Sequence, residues 1–319
     1  MNMDLNMNIG VNGNKFVATG DVGLLAGHAA EIRDAGLDAY WLAQHPAGSL
    51  DALTALAIFG RDVPGLGLGV GVVPVWGKHP AALAATALTA AQGTPGGLTV
   101  GIGLSHPAMV AEHLGSLYDP KPVAAMREYL EIMVPLVREG TVDYQGERYQ
   151  CATTIALVPE PRPTVLVAAM GETMLRLAGR LADGTITSWT GPNTLRDHVI
   201  PTIRQAAADA GRPEPRVASI FQVCVTDDVD RARAGVADWF AFHGKAPSYE
   251  AMIEREGVES AADIAIVGTE DDVRQRILAL AEIGITDLVA GEGLAPGETD
   301  TLRTRRLLAE LARGRVSST

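Results

Sequence analysis

Two histidines and one serine come directly after short apolar segments and are the strongest candidates for catalytic chemistry in this sequence. His45 follows the segment 39–42, whereas Ser105 and His106 follow the segment 99–103. Imidazole titrates near neutral pH, so each histidine could donate a proton to a ligand or accept one from it. The hydroxyl of Ser105 could hydrogen-bond a substrate.

Aromatic side chains follow two further apolar segments. Trp76 comes after the segment 66–73, and Trp189 comes after the segment 184–187. Each indole could form the wall of a ligand pocket or a hydrophobic plug beneath a loop, and both interpretations are left open. Trp41 lies inside its own apolar segment and is predicted to be a core residue.

The other histidines are predicted to have structural roles. His28, His113 and His198 fall in helical stretches, where we expect them at the surface. His79 precedes Pro80 at a predicted helix start and could cap that helix or pack against it.

A repeated unit of strand and helix positions these residues. Helical stretches end near Gly36, Gly184 and Gly284, where glycine favours the left-handed cap conformation. Eight strands are predicted, at about 7–11, 39–42, 66–73, 98–102, 164–168, 184–187, 217–225 and 286–290. This alternation predicts an α/β fold of the (β/α)8 TIM-barrel class, with an open doubly wound sheet as the alternative. In a barrel the C-terminal strand ends meet at one mouth, where the candidate residues would form one site.

Three segments are longer than minimal loops, at about 105–121, 141–163 and 244–263. The second contains a predicted hairpin around Gln145-Gly146-Glu147. Long insertions commonly cover a site or form an interface. We therefore expect one barrel domain over residues 1–319 that carries three insertions.

Composition excludes several classes of partner. The formal net charge of the 319 residues is -12, so the chain lacks the basic face that nucleic-acid binding requires. Its start lacks a signal-peptide pattern, and no apolar run is long enough to span a bilayer. Cys151 and Cys224 stand far apart, without a zinc-binding pattern. These features predict a cytoplasmic protein that acts on small molecules and binds no membrane, nucleic acid or metal.

The glycine-rich third strand does not carry a nucleotide-binding motif. Gly65, Gly67, Gly69 and Gly71 alternate without completing a GxGxxG pattern, and the chain has no GxxxxGK[ST], HExxH or GxSxG sequence. Glycine has no Cβ, so it allows close approach either of a flat ligand or of neighbouring protein atoms. The sequence leaves both interpretations open.

A strand, a small turn and a helix follow one another at residues 165–177. Met170 and Gly171 form the turn, and the helix begins at Glu172. The first turn of a helix presents free N–H groups and the positive end of the helix dipole, which could bind an anion. An ordinary turn is the alternative, and the carboxylate of Glu172 disfavours an anion unless it points outward.

Six short motifs extend through most of the chain: Asn8-Ile9-Gly10-Val11, Tyr40-Trp41-Leu42-Ala43-Gln44-His45, Leu68 to Val73 with Lys78-His79-Pro80, Val100-Gly101-Ile102-Gly103, Met126-Arg127-Glu128-Tyr129-Leu130, and Ala178-Gly179-Arg180-Leu181-Ala182-Asp183-Gly184. Their order and spacing resemble the luciferase-like oxidoreductases. Within that family they resemble the branch that uses coenzyme F420, an 8-hydroxy-5-deazaflavin.

The resemblance implies a barrel with the deazaflavin lying across its C-terminal mouth. A non-prolyl cis peptide would join Gly71 and Val72 and form a bulge against the central ring, and the phosphate tail would lie near residues 169–171. The implied cofactor-binding residues are Gln44, His45, Val70, Gly71, Val72, Gly103, Ala168, Ala169, Met170, Gly171 and Thr173. Trp76 and Trp189 are expected to line the substrate pocket.

The same resemblance implies hydride transfer between C5 of the deazaflavin and a small organic substrate, expected to be reduction of a C=C or C=N bond. His45, His106 and Ser105 are the catalytic candidates, although His106 stands where several relatives have an acidic residue. The basic residues that bind sugar phosphate in the glucose-6-phosphate branch have no counterpart, so that substrate is not expected. The alternatives are an FMN-dependent monooxygenase and a non-catalytic binding protein. The resemblance also predicts a homodimer.

Overall fold

A computed structural model describes residues 6–45, 50–115, 118–156, 159–243, 246–292 and 297–314 of this protein. Its strands are β1 (Asn8–Asn12), β2 (Ala39–Leu42), β3 (Gly67–Pro74), β4 (Leu98–Gly103), β5 (Thr141–Gln145), β6 (Gln150–Thr154), β7 (Thr164–Ala168), β8 (Gly184–Ser188), β9 (Arg216–Val225), β10 (Ile266–Gly268) and β11 (Asp287–Gly291). Its helices are α1 (Asn14–Val17), α2 (Val22–Ala35), α3 (Ala52–Phe59), α4 (Pro80–Ala91), α5 (Pro107–Leu114), α6 (Pro122–Glu139), α7 (Glu172–Leu181), α8 (Pro192–Thr194), α9 (Ile200–Asp209), α10 (Val229–His243), α11 (Pro247–Glu256), α12 (Ala261–Ile264), α13 (Glu270–Glu282) and α14 (Glu298–Arg313). A π turn, Leu195–Val199, joins α8 to α9.

Eight parallel strands form a closed barrel. Their order is β1, β2, β3, β4, β7, β8, β9 and β11, and β11 pairs with β1 to close the ring. These strands correspond to the eight predicted segments, so the TIM-barrel prediction is confirmed and the open-sheet alternative is wrong. The short strand β10 pairs with β9 outside this ring. The sequence does not predict β10, because three residues are too few to display a strand pattern.

An apolar cluster fills the inside of the barrel around Trp41, which is a core residue as predicted. The glycines of β3 make room for this cluster. A Cβ at Gly69 would lie 2.4 Å from Trp41 Cε3, and a Cβ at Gly71 would lie 2.5 Å from Ile186 Cδ1. Real carbon contacts are much longer, so close packing of the barrel interior accounts for both glycines.

The ends of two helices agree with their sequence signals. Gly36 ends α2 with a φ of +87°, the left-handed cap that its position predicts. The ring of His79 accepts a hydrogen bond from the N–H of Ala81 at 3.3 Å and thereby caps α4. His79 thus has the structural role expected of it.

The predicted hairpin is present as the antiparallel pair β5–β6. Its turn is anchored to α6 by the carboxylate of Glu128, which is 1% exposed. This carboxylate accepts hydrogen bonds from the guanidinium of Arg148 at 3.0 Å and from the backbone N–H of Arg148 at 2.9 Å.

Residues 116–117, 157–158 and 244–245 of the three predicted insertions lie outside the described residues. Among the described helices, none is both long and apolar enough to cross a membrane.

Candidate functional site

The candidate residues of four loops are brought to one mouth of the barrel. Because the barrel strands run parallel, their C-terminal ends lie on the same side. The loop after β2 carries His45, the loop after β4 carries His106, the loop after β7 carries Gly171, and the loop after β8 carries Trp189. The sequence thus predicts correctly that these residues belong to one face of the fold.

Strand β3 carries a bulge at this mouth. The peptide bond between Gly71 and Val72 is cis, as the family resemblance implies, and the pairing of β3 with β4 changes register at this point. Both residues are half-buried. The N–H of Gln44 donates to the carbonyl of Val72 at 3.3 Å, so the bulge is tied to the loop after β2.

A floor of small side chains runs from this bulge to the end of β7. Gly103 lies between the two, since a Cβ at this glycine would be 2.9 Å from Val72 Cγ2 and 3.2 Å from Ala168 Cβ. Val70 and Ala169 do not contribute side chains to the floor, because both are packed in the core between barrel and helices. These two residues could meet a ligand only through their backbone.

His45 and His106 occupy different environments. His45 is exposed at the rim, whereas His106 is half-buried. The ring of His106 contacts the ring of Tyr249 on α11 edge-on, with their centroids 5.2 Å apart. Burial lowers the pKa of His106, because an imidazolium loses hydration there. The neutral ring therefore predominates at pH 7, and His106 can accept a proton.

Two residues with side chains adopt left-handed backbone conformations at the mouth. Ser105 has a φ of +56° and Trp189 a φ of +55°. Such a conformation costs a residue with a Cβ roughly 1 kcal/mol and is often found at ligand-binding sites. The hydroxyl of Ser105 lies 3.7 Å from the sulfur of Met109.

The two predicted pocket tryptophans are mostly buried, Trp76 at 8% and Trp189 at 6% exposure. Trp76 donates its indole N–H to the carbonyl of Leu104 and so supports the loop after β4. Trp189 packs against Trp239 and Phe240 of α10. Most of each side chain is therefore packed against other parts of the protein, as in the plug interpretation.

The side chain of Gln44 is engaged at the start of α3. Its Nε2 donates to the carboxylate of Asp51 at 3.3 Å, and its Oε1 accepts from the N–H of Ala52 at 3.2 Å. Asp51 also forms an ion pair with Lys78 at 3.0 Å. Gln44 therefore holds the β3 bulge through its backbone and the start of α3 through its amide.

The turn after β7 leads into an open helix N-terminus. Gly171 is the N-cap residue of α7, and no side chain caps this helix. A Cβ at Gly171 would meet no atom within 4 Å, and Thr173 is exposed. Glu172 pairs with Arg176 at 2.7 Å on the helix surface, so its charge is balanced within α7. These features fit an anionic group.

A buried polar cluster lies beside the mouth. His28 Nε2 lies 2.9 Å from Glu292 Oε1, its Nδ1 lies 3.1 Å from the Tyr40 hydroxyl, and Arg305 also pairs with Glu292. His28 is only 4% exposed, so the prediction that it lies at the surface is wrong. The local sequence gives no sign of this cluster, because Glu292 is 264 residues away in the chain.

The surface prediction is also wrong for His198. This residue is half-buried in the π turn, and its Nε2 lies 2.8 Å from the carbonyl oxygen of Met170. His113, in contrast, is exposed on α5 as expected.

A cavity of about 520 Å³ lies outside the mouth, between α10, α11 and α12. Phe240 lines this cavity and also contacts Trp189, which places the cavity next to the loop after β8. The candidate residues of the loops after β2, β4 and β7 do not line it. We therefore assign the site to the mouth, where the titratable side chains, the bulge and the open helix end lie.

Comparison with known proteins identifies relatives that match most of this chain. One relative, from Mycobacterium tuberculosis, is provisionally named a coenzyme F420-dependent oxidoreductase. It is 26% identical to this chain over 314 residues, which cover 83% of this chain and 90% of the relative. A 5,10-methylenetetrahydromethanopterin reductase of Archaeoglobus fulgidus is 26% identical over 307 residues and covers 85% of this chain and 90% of the relative.

A solved structure shares the fold along nearly the whole chain. The coenzyme F420-dependent tetrahydromethanopterin reductase of Methanopyrus kandleri superposes with a TM-score of 0.79 at 20% identity, covering 95% of this chain and 97% of the other. The family model described as luciferase-like monooxygenase matches residues 10–287, from β1 to the start of β11. This chain therefore belongs to the luciferase-like monooxygenase family of enzymes.

Proposed function

We propose that this protein is a coenzyme F420-dependent oxidoreductase that transfers a hydride between C5 of the deazaflavin and a small organic substrate. The observation that carries the proposal is the floor of small side chains from the Gly71–Val72 bulge, past Gly103 and Ala168, to the open N-terminus of α7. A flat ring with an anionic tail requires close approach at one end and free N–H groups at the other. The names of the relatives favour a deazaflavin as that ring.

The residues at the mouth fit this cofactor. Val72, Gly103 and Ala168 would hold the ring, because their small side chains leave the mouth accessible. Gly171 and Thr173 would hold the phosphate through the first turn of α7, whose N–H groups have no partner within the helix. The backbone of the loop after β2 would keep the bulge in place, since it donates to the Val72 carbonyl.

Coenzyme F420, when bound, supplies or accepts the hydride at C5. The residues of the chain align the substrate and move one proton. We propose reduction of a C=C or C=N bond, in which the hydride adds to one atom and a proton from His106 or His45 adds to the other. In the reverse direction neutral His106 accepts that proton, and the Ser105 hydroxyl hydrogen-bonds the substrate.

Parallel titrations of the purified protein with coenzyme F420 and with FMN, followed by fluorescence, test the cofactor. We expect tighter binding of coenzyme F420, together with oxygen-independent oxidation of its reduced form by enones or imines. Tighter binding of FMN with oxygen-dependent turnover would overturn the proposal in favour of a monooxygenase. Binding of the deazaflavin without turnover of any acceptor would favour a binding protein.

We also propose that the protein forms a homodimer through α2, α3 and α14. Leu24, Ile58 and Leu302 are large apolar residues with 47%, 62% and 52% exposure, one on each of these neighbouring helices. The proposal takes these three side chains as parts of one exposed apolar patch, since a contiguous patch is typical of an interface. Light scattering should give the mass of two chains for the wild type and of one chain for Ile58→Glu. A wild-type mass of one chain would contradict the proposal.

A further inference from the structure

Two side chains from other elements hold the turn between β7 and α7. Thr185 of β8 donates its hydroxyl proton toward the carbonyl oxygens of Val167, at 2.9 Å, and Ala169, at 3.0 Å. His198 binds the next carbonyl along, with its Nε2 2.8 Å from the oxygen of Met170. Because a carbonyl oxygen can only accept, Nε2 of His198 must carry the proton.

The bond from His198 determines where the next N–H group points. The peptide between Met170 and Gly171 is trans, since the cis bonds of the described residues are at Gly71–Val72 and Glu160–Pro161. In a trans peptide the C=O and N–H bonds point in opposite directions. With the Met170 carbonyl directed at His198, the N–H of Gly171 points away from it. Gly171 is exposed and its surroundings are open.

The placement of His198 differs from that of the two residues that precede it. Arg196 and Asp197 are exposed and pair with each other at 2.6 Å, whereas His198 is half-buried. All three lie in the π turn, a departure from regular helix that is frequent at functional sites. Of these three side chains, that of His198 reaches the β7–α7 junction, whereas those of Arg196 and Asp197 stay in solvent.

We propose that His198 is a positioning residue for the anionic tail of the cofactor. By holding the Met170 carbonyl it directs the Gly171 N–H, together with the first turn of α7, toward the phosphate group. This inference rests on the proposed function, because it assigns a role within the same site. His198 acts through Met170 and Gly171, so it affects recognition of the phosphate and leaves recognition of the ring unchanged.

Two ligands separate these effects: coenzyme F420 and its phosphate-free chromophore, which has the same deazaflavin ring and only the ribityl chain. Each is titrated by fluorescence into the wild type, His198→Ala, His198→Gln and His113→Ala. We expect His198→Ala to weaken binding of coenzyme F420 about tenfold, the effect of losing roughly one hydrogen bond, with no change for the chromophore. His198→Gln retains a hydrogen-bond donor and should recover most of the affinity for coenzyme F420. His113→Ala, the exposed control, should change the affinity for neither ligand.

A second measurement does not depend on ligand affinity. In 15N-labelled protein the amide signal of Gly171 should shift in His198→Ala before any ligand is added, and in the wild type it should shift with coenzyme F420 but not with the chromophore. Equal losses of affinity for both ligands, or no loss for either, would overturn the role of His198. A wild type that binds neither ligand would overturn the proposed function itself. If the wild type binds both ligands equally well, the ring site is supported, but the phosphate contact and with it the role of His198 are contradicted.

Discussion

The ring of Tyr249 meets the ring of His106 edge-on, with centroids 5.2 Å apart and planes 77° apart. Tyr249 belongs to α11 in the third insertion, whereas His106 follows β4 in the barrel. This contact is therefore the place where the insertion reaches the candidate proton-transfer residue. It also contributes to the burial that lowers the pKa of His106.

Replacing Tyr249 by alanine should raise the pKa of His106 toward its ordinary value. Removal of the phenol admits water, which stabilises the imidazolium. The pKa is measured by following the ring signals of His106 by NMR across pH 5 to 8. Tyr249→Phe retains the aromatic edge and should leave the pKa close to that of the wild type. An unchanged pKa in Tyr249→Ala would show that other atoms bury His106.

His106→Asn should slow turnover by about 10²- to 10⁴-fold, the usual contribution of a general acid or base. Substrate oxidation by the wild type should slow as the pH falls below the pKa of His106, because the protonated ring cannot accept a proton. Reduction should accelerate over the same range. The measurement is the single-turnover rate in each direction against pH, with His45→Asn alongside and exposed His113→Asn as the control. If His45→Asn slows turnover and abolishes its pH dependence whereas His106→Asn does neither, the proton passes through His45.

The barrel was accessible to sequence analysis because each of its strands is a short apolar run followed by polar residues. Gly36 shows why the start of β2 is also predictable, since its left-handed cap ends α2 just before that strand. The same expectation is wrong at Gly184, because α7 ends with Ala182 in an extended conformation and Gly184 already belongs to β8. The cis peptide at Gly71–Val72 does not follow from composition or spacing, and only the family resemblance implies it. Strand β10 has three residues, which are too few to display a strand pattern in the sequence.

Gly69→Ala should destabilise the protein by about 1–3 kcal/mol, the usual cost of overpacking a core. The added Cβ would lie 2.4 Å from Trp41 Cε3, inside a closed barrel where neither strand nor indole has room to move. Gly171→Ala is the matched control, because its Cβ would meet no atom within 4 Å. Urea unfolding of both variants measures the difference. Equal stabilities would contradict the assignment of Gly69 to barrel packing.

Histidines show the limit of local sequence reasoning in this chain. His28 and His198 both lie in helical stretches, and a helical period alone places such residues at the surface. Their partners are Glu292, which is distant in sequence, and a backbone carbonyl of the β7–α7 turn. Only the closed barrel brings these groups together, so no pattern within a single helix could have identified them.

Glu292 supports a further prediction, because it is a buried carboxylate with several cationic or polar neighbours. Its side chain is fully buried, lies 2.9 Å from His28 Nε2, pairs with Arg305 and lies 3.6 Å from Lys15 Nζ. Burial by itself raises the pKa of Glu292, but the hydrogen bonds from His28 and Arg305 outweigh it and lower the pKa to about 2. A carboxylate held ionised in this way stabilises the folded chain above its unfolded pKa.

Glu292→Gln should therefore remove the contribution to the free energy of unfolding that depends on the ionised Glu292 carboxylate. In the wild type this contribution, roughly 3 kcal/mol, is fully present above the ordinary glutamate pKa and is lost as the pH falls from about 4.5 to about 2. The variant should be less stable at pH 7 and should show a shallower decline over that range, because glutamine does not titrate. Urea unfolding at pH 7, 4.5 and 3 measures both effects, with Glu254→Gln, an exposed position on α11, as the control. If the free energy of unfolding depends on pH in the same way for the wild type and for Glu292→Gln, the prediction is contradicted. The Glu292 carboxylate would then contribute nothing to the loss of stability at acidic pH, since every other titrating group is common to both proteins.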